Sequence, residues 1–235
     1  MTHGFDKAYW EQHWRQASAA GTGSMAANPP NPYLARETSE LVPGTALDAG
    51  CGSGAEAIWL ARRGWQVTAA DISSEALARA AERAAASGVS EHLRWVEADL
   101  SVWHPGERFD LVTTHYAHPA MPQLEFYDRI AGWVAPGGTL LIVGHLHTHD
   151  TTDGAPGHDH DPAHGHGQGH GQGHGHGSGQ HPPAEASATA AAVTARLDDT
   201  AWEVVTAEQC HRTLVGHGGR EVRLHDVVVR ATRRP

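Results

Sequence analysis

The sequence has few cysteines and no long apolar run. Cys51 and Cys210 lie far apart, without CxxC or zinc-finger spacing, which argues against a disulfide framework and a cysteine metal site. No apolar run approaches the roughly 20 residues of a membrane-spanning helix. The first residues show neither a secretion leader nor an acylation signal. We therefore expect a cytoplasmic protein without a membrane partner.

Positive charge is also scarce. The chain of 235 residues has 17 Lys and Arg against 27 Asp and Glu, a formal net charge of -10. This balance gives no electrostatic reason to expect nucleic acid or an anionic membrane as a partner. The length suits about one domain of the common size, if the histidine-rich stretch in the chain is a loop.

Short strand-like runs alternate with helical stretches from Thr45 onward. This alternation predicts an α/β fold, a doubly wound and mostly parallel sheet with helices on both faces. Two last runs flank a Gly-rich turn and predict a terminal antiparallel pair. The predicted strands are TALDAG (45–50), WQVTAAD (65–71), LRWVEAD (93–99), FDLVTT (109–114), TLLIVGH (139–145), WEVVTAEQC (202–210) and LHDVVVRAT (224–232).

Helix start and stop signals separate these strands. Ser53 and Glu56 have the spacing of a capping box for the first helix, which Gly64 closes. Ser73 or Ser74 is predicted to cap the next helix, which is rich in alanine.

Later signals are less regular. Pro122 opens a helical segment that runs through Trp133, and APGG at 135–138 predicts a turn before the fifth strand. Helical pattern resumes at about 186–197.

A histidine-rich tract interrupts the pattern from about His147 to Pro183. Gly, His, Asp, Gln and Pro cannot bury enough apolar area to offset the entropy of ordering, so we expect a flexible surface loop. Its imidazoles suit Ni, Zn, Co or Cu in exchangeable, pH-dependent sites rather than a catalytic centre. A solvated loop with no metal role in the cell is the alternative. The candidate ligands are His158, His160, His164, His166, His170, His174, His176 and His181.

The segment LDAGCGSGAEAI forms a strand-to-helix turn with glycines at Gly50, Gly52 and Gly54. The glycines alone also satisfy a dinucleotide fingerprint and only predict that a ligand approaches the backbone closely. Asp48, two residues before the first glycine, is more specific. A carboxylate there would repel a pyrophosphate and favour a ligand that carries a sulfonium or an ammonium.

Two further acids end neighbouring predicted strands. Asp71 closes the second strand, where a carboxylate can accept hydrogen bonds from both hydroxyls of a ribose. Asp99 follows the third strand, where it could accept a hydrogen bond from an adenine amino group. The sequence thus predicts three acids on the carboxyl edge of the sheet.

At these residues the chain resembles the class I S-adenosylmethionine-dependent methyltransferases. Their first motif is an acid followed by Gly-x-Gly-x-Gly, with an acid ending the second strand and another after the third. The resemblance implies a seven-stranded sheet that ends in an antiparallel pair, and S-adenosylmethionine as cofactor. The cofactor-binding residues that it implies are Asp48, Gly50, Cys51, Gly52, Gly54, Asp71, Ile72, Asp99 and Leu100.

Trp10 and Trp14 in YWEQHW resemble the Trp-x-x-x-Trp of the thiopurine methyltransferase and tellurite-resistance group. That resemblance implies an N-terminal segment, residues 1–40, that covers the cofactor. The same i, i+4 spacing also fits an amphipathic helix docked on the core. The methyltransferase domain is then expected at 41–149 and 184–235, interrupted by a disordered insertion at 150–183.

The acceptor must approach over the carboxyl ends of the strands, near TTHYAHPAMP after the fourth strand. His115, Tyr116 and His118 are the candidate catalytic residues, since an imidazole can deprotonate an oxygen or nitrogen acceptor. A thiolate or a metalloid oxyanion needs no base, and these side chains then only line the strand end.

The expected function is in-line transfer of a methyl group to a small-molecule acceptor. The alternatives are a metal-handling protein on the same fold and a nicotinamide-dependent oxidoreductase. Asp48 disfavours the oxidoreductase because of its charge.

Overall fold

The computed structural model describes residues 5–19, 29–146, 187–215 and 221–235. The described strands form one seven-stranded sheet in the order β3-β2-β1-β4-β5-β7-β6. The first five strands pair in parallel, and β7 runs antiparallel to both β5 and β6. The predicted fold class is confirmed. The strands are β1 (Thr45–Ala49), β2 (Gln66–Asp71), β3 (Leu93–Glu97), β4 (Phe109–His115), β5 (Val134–His145), β6 (Trp202–Val215) and β7 (Glu221–Arg233).

Helices cover both faces of the sheet. One buried cluster joins the strands to Phe126, Ile130 and Val193, and a second joins them to Leu34 and Leu60. Because both faces are covered, the central strands are almost continuously apolar. The helices are α1 (Lys7–Ala19), α2 (Pro32–Thr38), α3 (Ala55–Ala61), α4 (Ser74–Ala86), α5 (Gln123–Ala131) and α6 (Ala190–Thr194).

The predicted capping box at the start of α3 is wrong. Gly54 is the N-cap residue, with a left-handed φ of 76° and no side-chain cap. Glu56 Oε1 instead accepts the backbone N–H of Asn31 at 2.9 Å. Ser53 is occupied elsewhere, since Arg83 Nη1 donates to its carbonyl oxygen and to its Oγ. The spacing of Ser53 and Glu56 is that of a capping box, but both side chains form hydrogen bonds with residues distant in sequence instead.

Other local signals hold. Ser73 is the N-cap of α4, and its Oγ accepts the backbone N–H of Ala76 at 3.2 Å. Gly64 has a φ of 89°, the left-handed conformation expected after α3. Ser73 therefore places the start of α4 directly after the end of β2.

Strand β5 begins earlier than predicted. Val134 pairs with Phe109 and Thr139 pairs with Leu111, so residues 135–138 form an irregularity within the strand rather than a turn before it. The helix before it, α5, ends at Ala131, short of the predicted Trp133. Pairing with β4 extends the strand through a segment whose Pro and Gly residues predicted a break.

Near the C-terminus the predicted pair is confirmed and is longer than the sequence pattern indicated. β6 covers Trp202–Val215 and β7 covers Glu221–Arg233. Helix α6, Ala190–Thr194, is shorter than the predicted segment at 186–197. None of the helices in the described ranges is long and apolar enough to cross a membrane.

Candidate functional site

A cavity of about 840 Å³ lies where the chain leaves the carboxyl ends of the parallel strands. Its volume falls within the usual range for small-molecule sites. The N-terminal aromatic residues, the glycine loop, the ends of β2, β4 and β5, and β6 all contribute to its wall. The residues that line the cavity include Phe5, Tyr9, Trp10, Trp14, Asn31, Gly50, Cys51, Gly52, Glu56, Asp71, Ile72, Asp99, Leu100, His115, Tyr116, His118, His145 and Arg212.

The glycine loop follows β1 and is held against β2. The backbone N–H groups of Gly50 and Cys51 both donate to the carbonyl oxygen of Ala70, at 2.8 and 3.1 Å. A Cβ on Gly50 would lie 2.3 Å from Ala117 Cβ, and the φ of Gly50 is 82°. Close approach and conformation both require glycine there. Cys51 is buried, and its thiol pKa is raised by burial.

Asp71 joins the end of β2 to this loop. Its Oδ2 accepts the backbone N–H of Gly52 at 2.8 Å, and its Oδ1 accepts the N–H of Ser73 at 2.9 Å. Burial raises the pKa of Asp71, and these backbone hydrogen bonds oppose the rise. The carboxylate lies on the cavity wall beside Ile72, where the predicted ribose contact would form.

Asp48 lies behind the glycine loop rather than on the cavity wall. Its side chain is 1% exposed and accepts the backbone N–H of Ala57. Burial, followed by the charges of Glu56 and Asp71, raises its pKa well above the ordinary value. Within the described ranges, its Oδ2 has no hydrogen-bond partner. Its charge would therefore act on a ligand through the loop, and direct contact stays a prediction.

Gly54, also predicted to hold the cofactor, packs away from the cavity. A Cβ there would lie 2.7 Å from Trp95 Cη2 and 2.9 Å from Ala80 Cβ. This glycine therefore allows close packing of the α3 start on β3 and α4. It is a structural requirement of the loop.

Asp99 and Leu100 contribute to the wall after β3. Asp99 Oδ1 accepts hydrogen bonds from the backbone N–H of Ser101 at 2.9 Å and from its hydroxyl at 2.6 Å. These bonds fix the carboxyl group at the cavity. The predicted hydrogen bond to an adenine amino group fits this position.

Helix α1 brings both predicted tryptophans to the cavity. Trp14 is 6% exposed, and its Cζ2 would lie 3.0 Å from a Cβ on Gly52. Glu11 Oε1 accepts the backbone N–H of Ser74 at 2.8 Å, which fastens α1 to the start of α4. Trp10 stacks on Phe5 at 5.9 Å. The tryptophans thus combine docking of α1 with lining of the cavity.

The three candidate catalytic residues also line the cavity. His118 Nδ1 lies 3.2 Å from Gln123 Oε1. Burial lowers the pKa of His115, whose Nε2 has no hydrogen-bond partner in the described part of the chain. Tyr116 has a φ of 57°, a conformation that is uncommon outside glycine. The structure therefore places all three on the cavity wall.

Several residues around Tyr116 were not predicted from the sequence. The Tyr116 hydroxyl accepts hydrogen bonds from Asn31 Nδ2 at 3.0 Å and Arg212 Nη2 at 2.8 Å. Its ring stacks on His145 with centroids 4.0 Å apart. Arg212 Nε donates to the buried Asp226. The position of His145 at the carboxyl end of a strand was the available signal, while Arg212 and Asp226 lie in strands distant in sequence.

The charge distribution of the cavity fits a positively charged nucleoside better than a pyrophosphate. Glu56, Asp71 and Asp99 contribute carboxyl groups to the wall. Arg212 is the one Lys or Arg that lines it within the described ranges, and this guanidinium is bonded to Tyr116 and Asp226. The loop backbone, three acids and aromatic wall suit S-adenosylmethionine.

Residues 46–138 match the family model described as Methyltransferase domain. This segment is similar to methyltransferase domains. Solved structures share the fold over most of the chain. One comes from work on the conversion of a disulfide bond into a thioacetal group during echinomycin biosynthesis. It has a TM-score of 0.63 at 20% identity, covering 100% of this chain and 92% of that one. TehB from Haemophilus influenzae has a TM-score of 0.61 at 14% identity, covering 96% of this chain and 67% of that one. The family prediction is confirmed.

Curated relatives match the methyltransferase domain and its surroundings. A probable thiol methyltransferase of Arabidopsis thaliana is 28% identical over 140 residues, covering 57% of this chain and 60% of the relative. An uncharacterised methyltransferase of Mycobacterium bovis is 40% identical over 99 residues, covering 41% of this chain and 48% of the relative. The chain therefore spans between about half and three fifths of the lengths of these relatives.

The predicted metal ligands between His158 and His181, and the predicted insertion at 150–183, lie outside the described residues. Within the described ranges, no group of three or more His, Cys, Asp or Glu side chains is placed to hold a metal ion. Metal binding by the tract stays a prediction, and nothing in the described site favours the metal-handling alternative.

Proposed function

We propose that this chain is an S-adenosylmethionine-dependent methyltransferase that acts on a small-molecule acceptor. The observation that carries the proposal is the hydrogen bond from the backbone N–H of Gly52 to Asp71 Oδ2, 2.8 Å long, on the wall of an acid-lined cavity. S-adenosylmethionine, when bound, supplies a methyl group already activated by its sulfonium. The protein then has to bind, align and shield the reactants.

The nucleoside end of the cavity is assigned to the glycine loop and its neighbouring acids. Asp71 has both carboxylate oxygens fixed by backbone N–H groups, which orients the remaining lone pairs toward a ribose. Asp99 is fixed in the same way by Ser101. Gly50 and Gly52 let the ligand approach the backbone closely.

The sulfonium end is assigned to the aromatic residues of α1 and the acceptor end to the segment after β4. Trp10 and Tyr9 present aromatic rings to the cavity, which attract a cation and exclude water. His115, Tyr116 and His118 line the cavity, and we assign them to the end where an acceptor would meet the methyl group. Their placement supports acceptor binding.

A sulfur nucleophile is the acceptor class that we propose. The relative from Arabidopsis thaliana is named a probable thiol methyltransferase. A thiol must first lose its S–H proton, and the soft thiolate that results reacts with a sulfonium methyl by in-line displacement and requires only alignment. The aromatic wall suits a small, mainly apolar thiol.

The test is incubation of the purified protein with S-adenosylmethionine and a panel of thiols, phenols, small carboxylic acids, selenite and tellurite. The released S-adenosylhomocysteine is measured for each compound. We expect turnover with thiols above all other classes. Turnover only with oxygen acceptors would overturn the substrate class, and no turnover with any acceptor, together with no cofactor binding, would overturn the proposed function.

A further inference from the structure

We propose that His145 is the catalytic base of the acceptor site and that Asp226 is the residue that positions it. The inference rests on the proposed methyl transfer to a thiol and assigns the residue that removes the proton from that thiol. It differs from the sequence-based expectation, which placed the candidate bases at His115 and His118.

The two residues lie opposite each other on neighbouring strands. His145 is the last residue of β5, and the antiparallel register of β5 and β7 pairs it with Asp226. His145 Nδ1 lies 3.5 Å from Asp226 Oδ1. The register of the sheet, which is fixed by seven successive residue pairs, therefore holds the imidazole against the carboxylate.

Asp226 is a buried carboxylate with one oxygen available to His145. The residue is 0% exposed, and its Oδ2 accepts a hydrogen bond from Arg212 Nε. Its Oδ1 makes no full hydrogen bond in the part of the chain that the structure describes. A buried carboxylate oxygen is a strong hydrogen-bond acceptor, so Asp226 is placed to orient the imidazole of His145 through its Nδ1.

The charge on Asp226 is maintained by its neighbours. Burial works against the ionised form, but the nearby His145 imidazole, the hydrogen bond from Arg212 and the charge of Arg212 outweigh it and lower the pKa of Asp226. The groups that face the imidazole are thus the Asp226 carboxylate from β7, the Tyr116 ring after β4 and, beyond Tyr116 and Asp226, the Arg212 guanidinium from β6.

His145 is also oriented toward the acceptor end. Its ring stacks on Tyr116 with a centroid distance of 4.0 Å and an interplanar angle of 17°. Asn31 and Arg212 hold the Tyr116 hydroxyl, so the stacking surface is itself fixed. His145 lines the cavity, and with Nδ1 directed to Asp226, Nε2 is the nitrogen left for an acceptor.

The other histidines at this end are less suited to take a proton. Burial lowers the pKa of His115, which disfavours the imidazolium. His118 Nδ1 lies 3.2 Å from Gln123 Oε1, an amide oxygen without the charge of a carboxylate. His145 is the histidine in the described cavity wall whose ring nitrogen faces a buried carboxylate.

The proposed step conserves atoms and electrons. The acceptor S–H proton moves to Nε2 of His145, and the electron pair left on the acceptor sulfur forms the bond to the methyl carbon. The electron pair of the breaking carbon–sulfur bond returns to the donor sulfur. The products are a methyl thioether, S-adenosylhomocysteine and a protonated His145, which releases its proton to solvent.

The test compares two thiols in variants of the whole chain. One is an alkyl thiol that is protonated at the assay pH, and the other is an aromatic thiol with an electron-withdrawing group that is already ionised. His145→Gln and Asp226→Asn are measured beside His211→Gln, a matched control on β6 whose exposed side chain lies outside the cavity. Affinity for S-adenosylhomocysteine is measured by calorimetry for each variant, to show that the fold and the cofactor site persist.

We expect His145→Gln to lower kcat/KM for the alkyl thiol by about a hundredfold or more, which is the usual contribution of a general base. For the ionised thiol, which needs no base, the same variant should lower kcat/KM by less than about threefold. Asp226→Asn should show the same selectivity with a smaller loss, and His211→Gln should match the wild type. A second readout uses no turnover: with S-adenosylhomocysteine bound, a chromogenic thiol should bind as its thiolate to the wild type and as its neutral form to His145→Gln.

Equal losses on the two thiols, or an unchanged rate with the alkyl thiol, would overturn the role of His145. Should Asp226→Asn fail to fold, the His145→Gln comparison decides alone. The proposed function fails in a different way, because the wild type would then transfer no methyl group to either thiol.

Discussion

Asp71 Oδ2 accepts the backbone N–H of Gly52 at 2.8 Å, which ties the end of β2 to the glycine loop after β1. The two residues are 19 positions apart in the sequence. One carboxylate thereby shapes the loop and faces the cavity. In the proposed complex, the binding of the nucleoside and the conformation of the loop would be coupled through this single group.

Replacing Asp71 by Asn should weaken binding of S-adenosylmethionine at least tenfold, which corresponds to about 1.4 kcal/mol. The amide keeps the shape but has one acceptor oxygen, so it cannot serve Gly52, Ser73 and a ribose together. Calorimetric titration measures the change. Asp198→Asn is the matched control, since Asp198 is exposed and its Oδ1 also accepts a backbone N–H, that of Thr200. An unaltered dissociation constant in Asp71→Asn would refute the ribose assignment.

Gly54→Ala should destabilise the protein more than Gly88→Ala. Both glycines have a positive φ, 76° and 68°, so both substitutions incur the backbone strain of about 1–2 kcal/mol. A Cβ at Gly54 would also lie 2.7 Å from Trp95 Cη2, whereas nothing lies within 4 Å at Gly88. Overpacking adds about 1–3 kcal/mol at Gly54 alone. Urea unfolding of both variants measures the difference, and equal losses would contradict the close packing of this loop.

Asp48→Asn should stabilise the ligand-free protein at about pH 8 and have little effect at about pH 4.5. Burial raises the folded-state pKa of Asp48, so folding favours its protonated form. The stability that this preference contributes is present below the unfolded pKa of about 3.9 and is lost as the pH rises through the folded pKa.

Unfolding midpoints of the wild type and Asp48→Asn at both pH values measure this dependence. Asp199→Asn, at an exposed position, controls for the removal of one charge. A wild type that remains more stable than Asp48→Asn at about pH 8 would show that the buried carboxylate is favourable in the ligand-free state.

Trp14→Ala should cost about 3 kcal/mol of stability, as large-to-small changes of buried tryptophans do, and should also weaken binding of S-adenosylhomocysteine. The ring is buried against Gly52 and lines the cavity. Trp59→Ala is the control, since Trp59 packs under the guanidinium of Arg63 outside the cavity. Unfolding and calorimetry are run on both variants. If Trp14→Ala lowers stability but not the affinity for S-adenosylhomocysteine, then Trp14 only docks α1 on the core and does not contribute to binding.

The parallel part of the sheet was predictable because the sequence alternates strand and helix signals, and parallel strands bring their carboxyl ends to one edge. Asp71 and Asp99 follow this rule, since Asp71 ends β2, Asp99 follows the neighbouring β3, and both line the same cavity. The rule does not distinguish the cavity wall from the layer behind it. Asp48 lies behind the loop because its carboxylate accepts the N–H of Ala57.

The acceptor end was less predictable because its residues come together through long-range pairing. β7 pairs with β5 on one side and β6 on the other, which brings Asp226 and Arg212 to His145. No local sequence pattern predicts that these three residues lie close together. The capping box at Ser53 failed for a related reason, since Asn31 and Arg83 compete for the side chains that local spacing assigns to each other.

Direct titration of the purified protein with S-adenosylmethionine and, separately, with NAD tests the central claim that the acid-lined cavity selects a positively charged, phosphate-free nucleoside. We predict saturable binding of S-adenosylmethionine and no measurable binding of NAD over the same concentration range. Binding of NAD without binding of S-adenosylmethionine would contradict this selectivity.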